Sequence, residues 1–397
     1  MTRYSVVFKE HEIRRAEAAE ALNCSPEDFS CSEDLFKSER CDVEASLVLF
    51  EEAGVCFAEL SAEILERLRR HSSIVDVRPV YSVTHDKDEN ATEFLAREGA
   101  ANLAATQPFP WHIEKISAHR CWETSTGRGV KVGIIDSEID NQHPDLPIVE
   151  GMTFHPETDN WFDGSDNHGT FCAGIVGARN NNVGIVGVAP ECDLYALRVN
   201  KYGRGDSDYI FCAMMWALQK GLDVVSISQW SASVDPYELP WSELQRGAQI
   251  LNKAGCSVVG ISGNSGSYPN HWVSNPGRCP NFIAVGGTER NDIWWSRSSY
   301  GPSDLAPEMA VELVAPSSNI SSIVRGGGIG RGSGTSYACP QVSGLIALLK
   351  EIHPDWTPDD LLQHIKATAT DLGPKGLDPK YGIGRIDSYA AVVGRYV

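Results

Sequence analysis

The chain of 397 residues is 42% hydrophobic and 22% charged, and its formal net charge at pH 7 is −19. Such a length and composition predict a globular protein of roughly two or three domains, and no apolar run is long enough to predict a membrane-spanning helix. Because the charge balance is acidic, we expect neither nucleic acid nor an anionic membrane surface as a partner.

Residues 1–86 are predicted to form a small domain of their own. The apolar patterns predict a strand, a helix, a hairpin, a second helix and a final strand, in the order β-α-β-β-α-β. These elements are predicted at Arg3–Lys9, Glu12–Leu22, Ala45–Phe50 with Val55–Leu60, Ser61–His71 and Ile74–Val80. The order is typical of a ferredoxin-like α+β domain, with Cys24–Asp42 as a polar insertion. Taken alone, the pattern fits a ligand-binding or regulatory module equally well.

Residues 87–105 are charged and then rich in alanine, and they show no periodic apolar face. We predict that this segment is a linker with a processing site. Two positions are candidates: the bond between Asn102–Ala105 and Thr106, and the bond between Asp86 and Lys87. A linker of about 19 residues can extend over roughly 60 Å, so an uncut chain can keep both of its domains folded and docked.

Residues 106–397 alternate between apolar strands and helices, which predicts an α/β domain with a doubly wound, mainly parallel sheet. The clearest of these elements are Asp193–Val199, Asp206–Lys220, Asp223–Ser228, Leu244–Ala254, Ser257–Ile261 and Phe282–Gly286. Functional sites of such domains lie at the carboxyl ends of the parallel strands. Polar residues at that edge are therefore the first candidates for a site.

Three polar residues stand at the ends of predicted elements, beside glycine. Asp136 ends the apolar run Val130–Ile135, and His168 opens a helix of small residues. Ser336 lies in a glycine-rich turn before a helix, and Pro340 is expected in the first turn of that helix. Each position alone is compatible with a turn residue or a helix cap. Together they match the acid, base and nucleophile of a serine hydrolase, because the base takes the serine proton and the acid orients the base.

At these motifs the sequence resembles the subtilisin-like serine proteases, and the resemblance extends from about Gln107 to the C-terminus. The matching motifs are Asp136-Ser137, His168-Gly169-Thr170 and Gly334-Thr335-Ser336 followed by Pro340. The resemblance implies a serine endopeptidase that forms an acyl-enzyme on Ser336, with His168 as general base and Asp136 as its orienting acid. It also implies that the side-chain amide of Asn264 stabilises the oxyanion.

The resemblance further implies that residues 1–86 are a propeptide. In the family this domain is an intramolecular chaperone and inhibitor, and its C-terminal tail, here near Ser82–Asp86, would occupy the substrate cleft. The protein would then be made as a self-inhibited zymogen. Because both parts of the chain are acidic, the affinity between them would come from packing and strand pairing and not from long-range attraction.

Substrate-binding residues are also implied by the resemblance. They are Ser226, Ser228, Gln229, Trp230 and Gly263, with residues 274–278 as the opposite wall. Trp230 stands where the family usually has glycine, so we expect a reshaped cleft and narrow specificity. Glu138 also replaces a usual glycine, and its charge is expected to raise the pKa of His168. Arg278 is predicted either to lie at a solvated rim or to favour acidic or polar substrate side chains.

A structural calcium ion is implied as well. Its ligands would be the side chains of Gln107, Asp145 and Asn181 and the backbone carbonyls of Arg179, Val183 and Ile185. Oxygen donors from separate segments suit Ca²⁺. An ordinary polar loop is the alternative, and the positive charge of Arg179 counts against the ion.

The eleven cysteines are scattered without the spacing of a zinc site or a disulfide framework, and no apolar signal core follows Met1. We therefore expect reduced thiols and a cytoplasmic protein. Cys172 and Cys339 lie near the candidate base and nucleophile. They are predicted to be small buried packing residues. The functional alternative is that oxidation of these thiols inactivates the protein.

The substrate is expected to be a peptide or a protein. An acyl-enzyme can be resolved by an amine as well as by water, which leaves an alternative function open: a dedicated intracellular protease for one precursor peptide, or a peptide cyclase or ligase, of narrow specificity. A pseudoenzyme that only binds peptides is disfavoured because all four catalytic positions are filled, by Asp136, His168, Ser336 and Asn264.

Overall fold

The computed structural model describes residues 2–31, 35–36, 47–85, 93–95, 107, 109–146, 148–231, 239–269, 271–301 and 310–394. Part of the predicted insertion Cys24–Asp42 and both candidate processing sites lie outside these residues. Within the described part of the chain, no helix is long and apolar enough to cross a membrane.

The N-terminal domain is built on a five-stranded sheet. Its strands are β1 (Arg3–Phe8), β2 (Ser30–Cys31), β3 (Leu47–Phe50), β4 (Val55–Glu59) and β5 (Ile74–Pro79), and its helices are α1 (Arg15–Leu22) and α2 (Ala62–Leu68). The sheet order is β2-β3-β4-β1-β5, and β1 pairs antiparallel with both of its neighbours. One face of the sheet packs against the helices through Val6, Phe8, Leu22, Leu49 and Leu68. The predicted ferredoxin-like α+β pattern is confirmed, with β2 added at one edge.

Further strands and helices follow along the chain. The strands are β6 (Ser82–Thr84), β7 (Glu93–Leu95), β8 (Lys131–Asp136), β9 (Ile148–Thr153), β10 (Asp193–Arg198), β11 (Arg204–Asp206), β12 (Val224–Ile227), β13 (Trp230–Ser231), β14 (Ser257–Ile261), β15 (Ile283–Thr288), β16 (Leu313–Pro316), β17 (Ile320–Val324) and β18 (Gly328–Gly332). The helices are α3 (Trp111–Lys115), α4 (His168–Gly177), α5 (Ser207–Lys220), α6 (Ser242–Lys253), α7 (Thr335–Ile352), α8 (Pro358–Thr368) and α9 (Ser388–Val392).

Seven of these strands form one parallel sheet in the order β16-β15-β14-β12-β8-β10-β9. Side chains alternate between its two faces, as strand geometry requires. Val132 and Ile134 of β8 face a core that contains residues of α4 and α7, whereas Ile135 faces a second core that contains residues of α5 and α6. The doubly wound, mainly parallel α/β sheet is therefore confirmed.

The carboxyl ends of the parallel strands meet at one edge of this sheet. Asp136 is the last residue of β8. The loops that follow β12 and β14 start at the same edge, since both strands are parallel to β8 in the ladder. This edge is where the candidate catalytic residues collect.

The N-terminal domain packs on α5 and α6 through the second face of its sheet. Phe50 and Phe57 contact Phe211 of α5 edge to face, with ring centroids 5.1 Å and 5.6 Å apart. These rings belong to one buried cluster that also contains Val7 of the N-terminal domain and Met214 of the α/β domain. The apolar core is thus continuous between the two parts of the chain.

A buried arginine side chain also forms hydrogen bonds across this interface. Arg246 of α6 donates hydrogen bonds to the carbonyl oxygens of Phe8 at 3.0 Å, Ala53 at 2.9 Å and Glu10 at 3.3 Å. All three acceptors belong to the N-terminal domain. Hydrogen bonds to a charged donor are stronger than neutral ones, so this contact adds to the apolar packing.

Part of the segment predicted as a linker is a strand. β7 pairs antiparallel with β18, with Leu95 opposite Ile329 and Glu93 opposite Arg331. β18 leads directly into the glycine-rich turn before Ser336. Residues 93–95 of the predicted linker therefore pair with the α/β domain beside the turn that carries the candidate nucleophile.

Candidate active site

Asp136 and His168 meet at the carboxyl edge of the parallel sheet. The distance from Asp136 Oδ1 to His168 Nδ1 is 2.7 Å, and both side chains are buried. Burial alone would lower the pKa of His168, but the neighbouring Asp136 carboxylate and its hydrogen bond raise that pKa well above the ordinary value. This contact keeps the proton on Nδ1, so Nε2 is the nitrogen that can accept the proton of a nucleophile.

Ser336 lies in the first turn of α7. Its Oγ is 3.5 Å from the carbonyl oxygen of Ser228. Its own carbonyl accepts hydrogen bonds from Ser228 Oγ at 2.9 Å and from Cys172 Sγ at 3.5 Å. The prediction that Pro340 lies in the first turn is wrong, because Pro340 is inside the helix, five residues after Thr335. A proline there cannot bond the Ser336 carbonyl, and the two side chains replace that bond.

Contacts between α4 and α7 bring the base beside the nucleophile. Cys172 lies one turn after His168, with its Sγ 3.8 Å from His168 Nδ1. The rings of Tyr337 and His168 have centroids 5.7 Å apart. Burial raises the pKa of the Cys172 thiol and raises that of Cys339 to about 12. Both thiols are buried and protonated, which makes them packing residues and poor nucleophiles.

Asn264 follows β14 and presents a fixed donor to the site. Its Oδ1 accepts hydrogen bonds from the backbone N–H of Thr335 at 2.9 Å and from the Thr335 hydroxyl at 2.8 Å. Its Nδ2 is buried and has no hydrogen-bond partner among the described residues. A Cβ placed on Gly334 would lie 3.7 Å from this Nδ2, so the donor stands beside the turn that precedes Ser336. A buried donor without an acceptor suits an oxyanion that exists only during the reaction.

A three-stranded sheet crosses the cleft next to these residues. β6, at the end of the N-terminal domain, lies antiparallel between β11 and β13. Val83 is opposite Gly205 on one side and Ser231 on the other, and Thr84 is opposite Trp230. An extended peptide that adds to a sheet is bound in this way through its backbone.

His85 follows β6 and covers the base. Its ring stacks on the ring of His168, with centroids 4.2 Å apart and an interplanar angle of 11°. The Nε2 atom of His85 is 3.0 Å from Asp166 Oδ2, and only 2% of the His85 side chain is exposed. Asp166 Oδ1 accepts the backbone N–H of His168 at 2.9 Å. Asp166 therefore contacts both the base and the residue that covers it.

Three of the five predicted substrate-binding residues lie at the cleft. Ser228 contacts Ser336, and Trp230 belongs to β13 and pairs with Thr84. The half-buried ring of Trp230 packs against the core that contains α7. Gly263 precedes Asn264 at φ +103°, a conformation that side chains rarely adopt.

The other two residues face the interior. Ser226 lies within β12, and its Oγ is 3.5 Å from Cys339 Sγ. Gln229 is fully buried, and its Oε1 accepts a hydrogen bond from Asn200 Nδ2 at 2.9 Å. These two side chains support the walls of the cleft and do not line it. Arg278 is also buried and donates to a backbone carbonyl 2.7 Å away, so the prediction of a solvated rim residue is wrong.

Glu138 is neutralised within the structure. Its carboxylate forms a buried ion pair with Arg198 at 3.0 Å, and its Oε1 accepts the backbone N–H of Asp166 at 2.7 Å. The sequence predicted that the charge of Glu138 raises the pKa of His168. The charge that raises it comes instead from Asp136, because Arg198 compensates Glu138.

The residues predicted to bind a metal come together at the loop that follows α4. Nε2 of Gln107 donates to the carbonyl oxygens of Arg179 at 3.0 Å, of Ile185 at 2.6 Å and of Val183. Asp145 Oδ2 accepts the backbone N–H of Ile185 at 3.2 Å. Its Oδ1 is buried and has no hydrogen-bond partner in the described chain.

This oxygen cluster fits a hard cation. Three carbonyls converge on one positively polarised NH₂ group of Gln107, and the same acceptors suit Ca²⁺. Burial raises the pKa of Asp145 to about 7, and this effect outweighs the hydrogen bonds and the Arg179 charge that act to lower it. Asn181 Oδ1 accepts the backbone N–H of Val183 at 2.9 Å. The Arg179 guanidinium donates a hydrogen bond to the Pro190 carbonyl at 2.6 Å.

Three charged residues near the cleft and the interface were not predicted from the sequence. Asp166 stands two residues before His168, and that spacing was a visible signal. Arg198 and Arg246 lie inside a strand and a helix, and their partners are distant along the chain. No local pattern marks such residues.

The fold and the site together define the class of a serine peptidase, in which Asp136 and His168 are hydrogen-bonded and Ser336 lies in the first turn of α7. Residues 127–384 match the model of the Subtilase family, and the chain belongs to this family. It is 33% identical over 376 residues to M-protease of Shouchella clausii (strain KSM-K16), across 94% of this chain and 88% of the relative. It is 37% identical over 287 residues to Subtilisin BL of Lederbergia lenta, across 72% of this chain and 99% of the relative. Family membership makes the chain a subtilisin-like serine endopeptidase.

Proposed function

We propose that this serine endopeptidase is made as a self-inhibited precursor, in which residues 1–86 act as an intramolecular inhibitor. The single observation that carries the proposal is the position of β6 as the middle strand of the cleft sheet, with His85 stacked on the catalytic base. Subtilisin BL is covered for 99% of its length by 72% of this chain, so the chain has a substantial segment with no counterpart in that relative.

The catalytic cycle we propose is acyl transfer. Ser336 attacks a peptide carbonyl while His168 takes its proton, and Asp136 stabilises the imidazolium that results. The Nδ2 atom of Asn264 and the backbone N–H of Ser336 donate to the oxyanion. His168 then protonates the leaving amine, and water resolves the acyl-enzyme to complete hydrolysis.

Of the two candidate processing sites, the bond that follows Asp86 is favoured by the position of the tail. His85 covers the face of the His168 ring, whereas the scissile carbonyl must lie at the Nε2 edge, where Ser336 attacks. In an extended chain the residue after His85 supplies that carbonyl. The other candidate bond, between Asn102–Ala105 and Thr106, lies far along the sequence from the bound tail.

Arg246 offers a test of self-inhibition. Replacing it with methionine removes three buried hydrogen bonds from the docked state, whereas in an undocked state water replaces them. We expect the rate at which a fluorophosphonate labels Ser336 to rise about tenfold or more, because charged hydrogen bonds are worth more than neutral ones. Lys253→Met, at the exposed end of the same helix, is the control and should label at the wild-type rate. Equal rates for Arg246→Met and wild type would reject inhibition by the docked domain.

We further propose that the oxygen cluster around Gln107 holds a structural calcium ion. The ligands would be the side chains of Gln107, Asp145 and Asn181 with three backbone carbonyls. The orphaned Asp145 Oδ1 and the convergence of the carbonyls support this assignment. A bound ion would cross-link the loop that follows α4 to the start of the catalytic domain.

Calcium dependence is best measured by thermal unfolding in an uncut background. In the Ser336→Ala chain, we expect removal of calcium with a chelator to lower the unfolding temperature by about 5 °C or more. Asp145→Asn should abolish that shift, because it removes the one anionic ligand. Asp140→Asn, a nearby carboxylate outside the cluster, should retain it. An unfolding temperature that does not respond to calcium in the parent chain would rule out the site.

We also propose that the protein functions in a reducing compartment, the cytoplasm. Nine cysteines within the described residues are free thiols, and eight of them are buried. Such a number of reduced thiols is typical of cytosolic proteins. The alternative function, a dedicated precursor protease or a peptide cyclase or ligase, uses the same triad and differs only in what resolves the acyl-enzyme. Product masses obtained with a single precursor peptide distinguish hydrolysis from ligation.

A further inference from the structure

Three side chains at the catalytic base have the arrangement of a metal site. One ligand atom from each of His85, Asp136 and His168 lies within 4.8 Å of the other two, and all three residues are buried. Among the described residues, this is the one group of three histidine, cysteine or carboxylate side chains that converges in this way. His85 follows the last strand of the N-terminal domain, whereas the other two residues belong to the catalytic domain. An ion shared by the three would therefore join the two parts of the chain.

Two ligand atoms of this group have no other partner. Nδ1 of His85 and Oδ2 of Asp136 are buried, and neither has a hydrogen-bond partner among the described residues. Nε2 of His85 lies 3.0 Å from Asp166 Oδ2, so the proton of a neutral His85 ring belongs on Nε2, and Nδ1 keeps its lone pair. A histidine that binds a metal through one nitrogen commonly donates its other N–H to a carboxylate. An ion between the two unpaired atoms would give both of them a partner.

We propose that a zinc ion binds to His85, Asp136 and His168 and holds the precursor in its inhibited form. Two imidazole nitrogens and one carboxylate oxygen suit Zn²⁺, whereas Ca²⁺ and Mg²⁺ prefer oxygen ligands alone. Three protein ligands leave the fourth position of a tetrahedral zinc ion for water. This inference rests on the proposed function, because it takes residues 1–86 as the inhibitor, and it adds a metal ion to the regulation of that site.

The carboxylates around the group favour a divalent cation. Asp136 contacts His168 at 2.7 Å, and Asp166 contacts His85 at 3.0 Å. When both imidazoles are neutral, these two carboxylates bring two negative charges to a buried site, which is costly without a positive partner. The carboxylate of Glu138 in the same region is compensated by Arg198. The two positive charges of a zinc ion would balance Asp136 and Asp166.

The ion would also disable the base. The rings of His85 and His168 are nearly parallel, with an interplanar angle of 11°, whereas the nitrogen lone pairs lie in the ring planes. The His85 ring must therefore tilt out of the stack for both rings to bind one ion. A metal on one nitrogen of His168 leaves the ring proton on the other, so the ring has no lone pair for the proton of Ser336. Zinc would thus both tie down the tail and stop the chemistry.

Metal binding is measured directly on the uncut Ser336→Ala chain, so that the result does not depend on activity. Zn²⁺ is titrated in competition with a chromophoric chelator, with excess calcium and a reductant that contains no thiol. We expect one tightly bound zinc ion per chain. His85→Phe keeps a ring for stacking but has no ligand nitrogen, and it should weaken binding about tenfold or more, as should Asp136→Asn. His11→Phe, at an exposed histidine of the same N-terminal domain, is the matched control and should bind like the parent chain.

The effect on the site is measured as the rate at which a fluorophosphonate labels Ser336 in the wild-type chain. We expect labelling to be about tenfold or more slower with Zn²⁺ than with a zinc-selective chelator, and His85→Phe to reduce this difference. Zinc binding of equal strength in the parent chain and in His85→Phe would overturn the inference. Faster labelling of Arg246→Met would then still support the proposed function. Labelling that responds neither to zinc nor to Arg246→Met would reject both.

Discussion

Replacing Ser336 with alanine is expected to lower turnover by about 10⁶-fold, a magnitude known for the equivalent change in a subtilisin. The physical reason is that the side chain supplies the atom that forms the acyl-enzyme. His168, Asp136 and the oxyanion donor remain in place in this variant, but there is no hydroxyl for His168 to deprotonate. Residual binding and oxyanion stabilisation cannot replace the covalent step.

The measurement is the intact mass of wild type and Ser336→Ala, purified under reducing conditions. We expect two fragments from wild type, with the break after Asp86, and a single chain of 43.3 kDa from the variant. Ser343→Ala removes a buried hydroxyl from the same helix and should be processed like wild type. Equal cleavage of the Ser336→Ala chain would show that another protease makes the cut. An uncut wild type that still reacts with a fluorophosphonate would support an active precursor with a dedicated substrate.

Asn264→Ala is expected to lower kcat by roughly 10²–10³-fold with little change in KM, a magnitude established for a related subtilisin. The donor Nδ2 is fixed because both hydrogen bonds from Thr335 hold the other end of the amide. A donor that is held before the reaction starts needs no reorganisation in the transition state. Its loss therefore affects turnover more than binding.

Steady-state kinetics on one peptide separate kcat from KM for this variant. Asn252→Ala, on the surface of α6, removes an asparagine of no catalytic role and serves as the control. The unfolding temperature of each variant is measured as well. A variant that has lost activity but keeps the wild-type unfolding temperature has lost a catalytic group and not its fold. A rise in KM with kcat unchanged would place Asn264 in substrate binding and leave the oxyanion without its side-chain donor.

Local sequence patterns were sufficient to predict the parallel sheet and the candidate catalytic residues. Buried parallel strands appear in the sequence as apolar runs, and Asp136 and Asn264 come just after two such runs. His168 and Ser336 stand in the first turns of helices, where glycine allows close approach of the backbone. Because parallel strands share one active edge, these positions could be assigned to one site before any contact was known.

Contacts between distant segments could not be predicted in the same way. The direction of the Ser226 side chain depends on which face of β12 meets α7, and the sequence of a strand buried on both faces does not distinguish the two. The position of Pro340 inside α7 depends on Ser228 and Cys172, which replace the missing backbone bond. Neither outcome follows from helix or strand propensity.

The sequence by itself determined the family and the folds of the two domains, and it identified the candidate catalytic residues and the candidate oxygen ligands around Gln107, since each of these is encoded by short motifs and periodicity. Only the tertiary structure decided which charges meet. It pairs Glu138 with Arg198, which removes the expected influence of Glu138 on the base, and it places Asp166 against His85. Charged groups interact strongly only when they are close in space. Residues that are far apart in the sequence come close together only when both domains fold and dock.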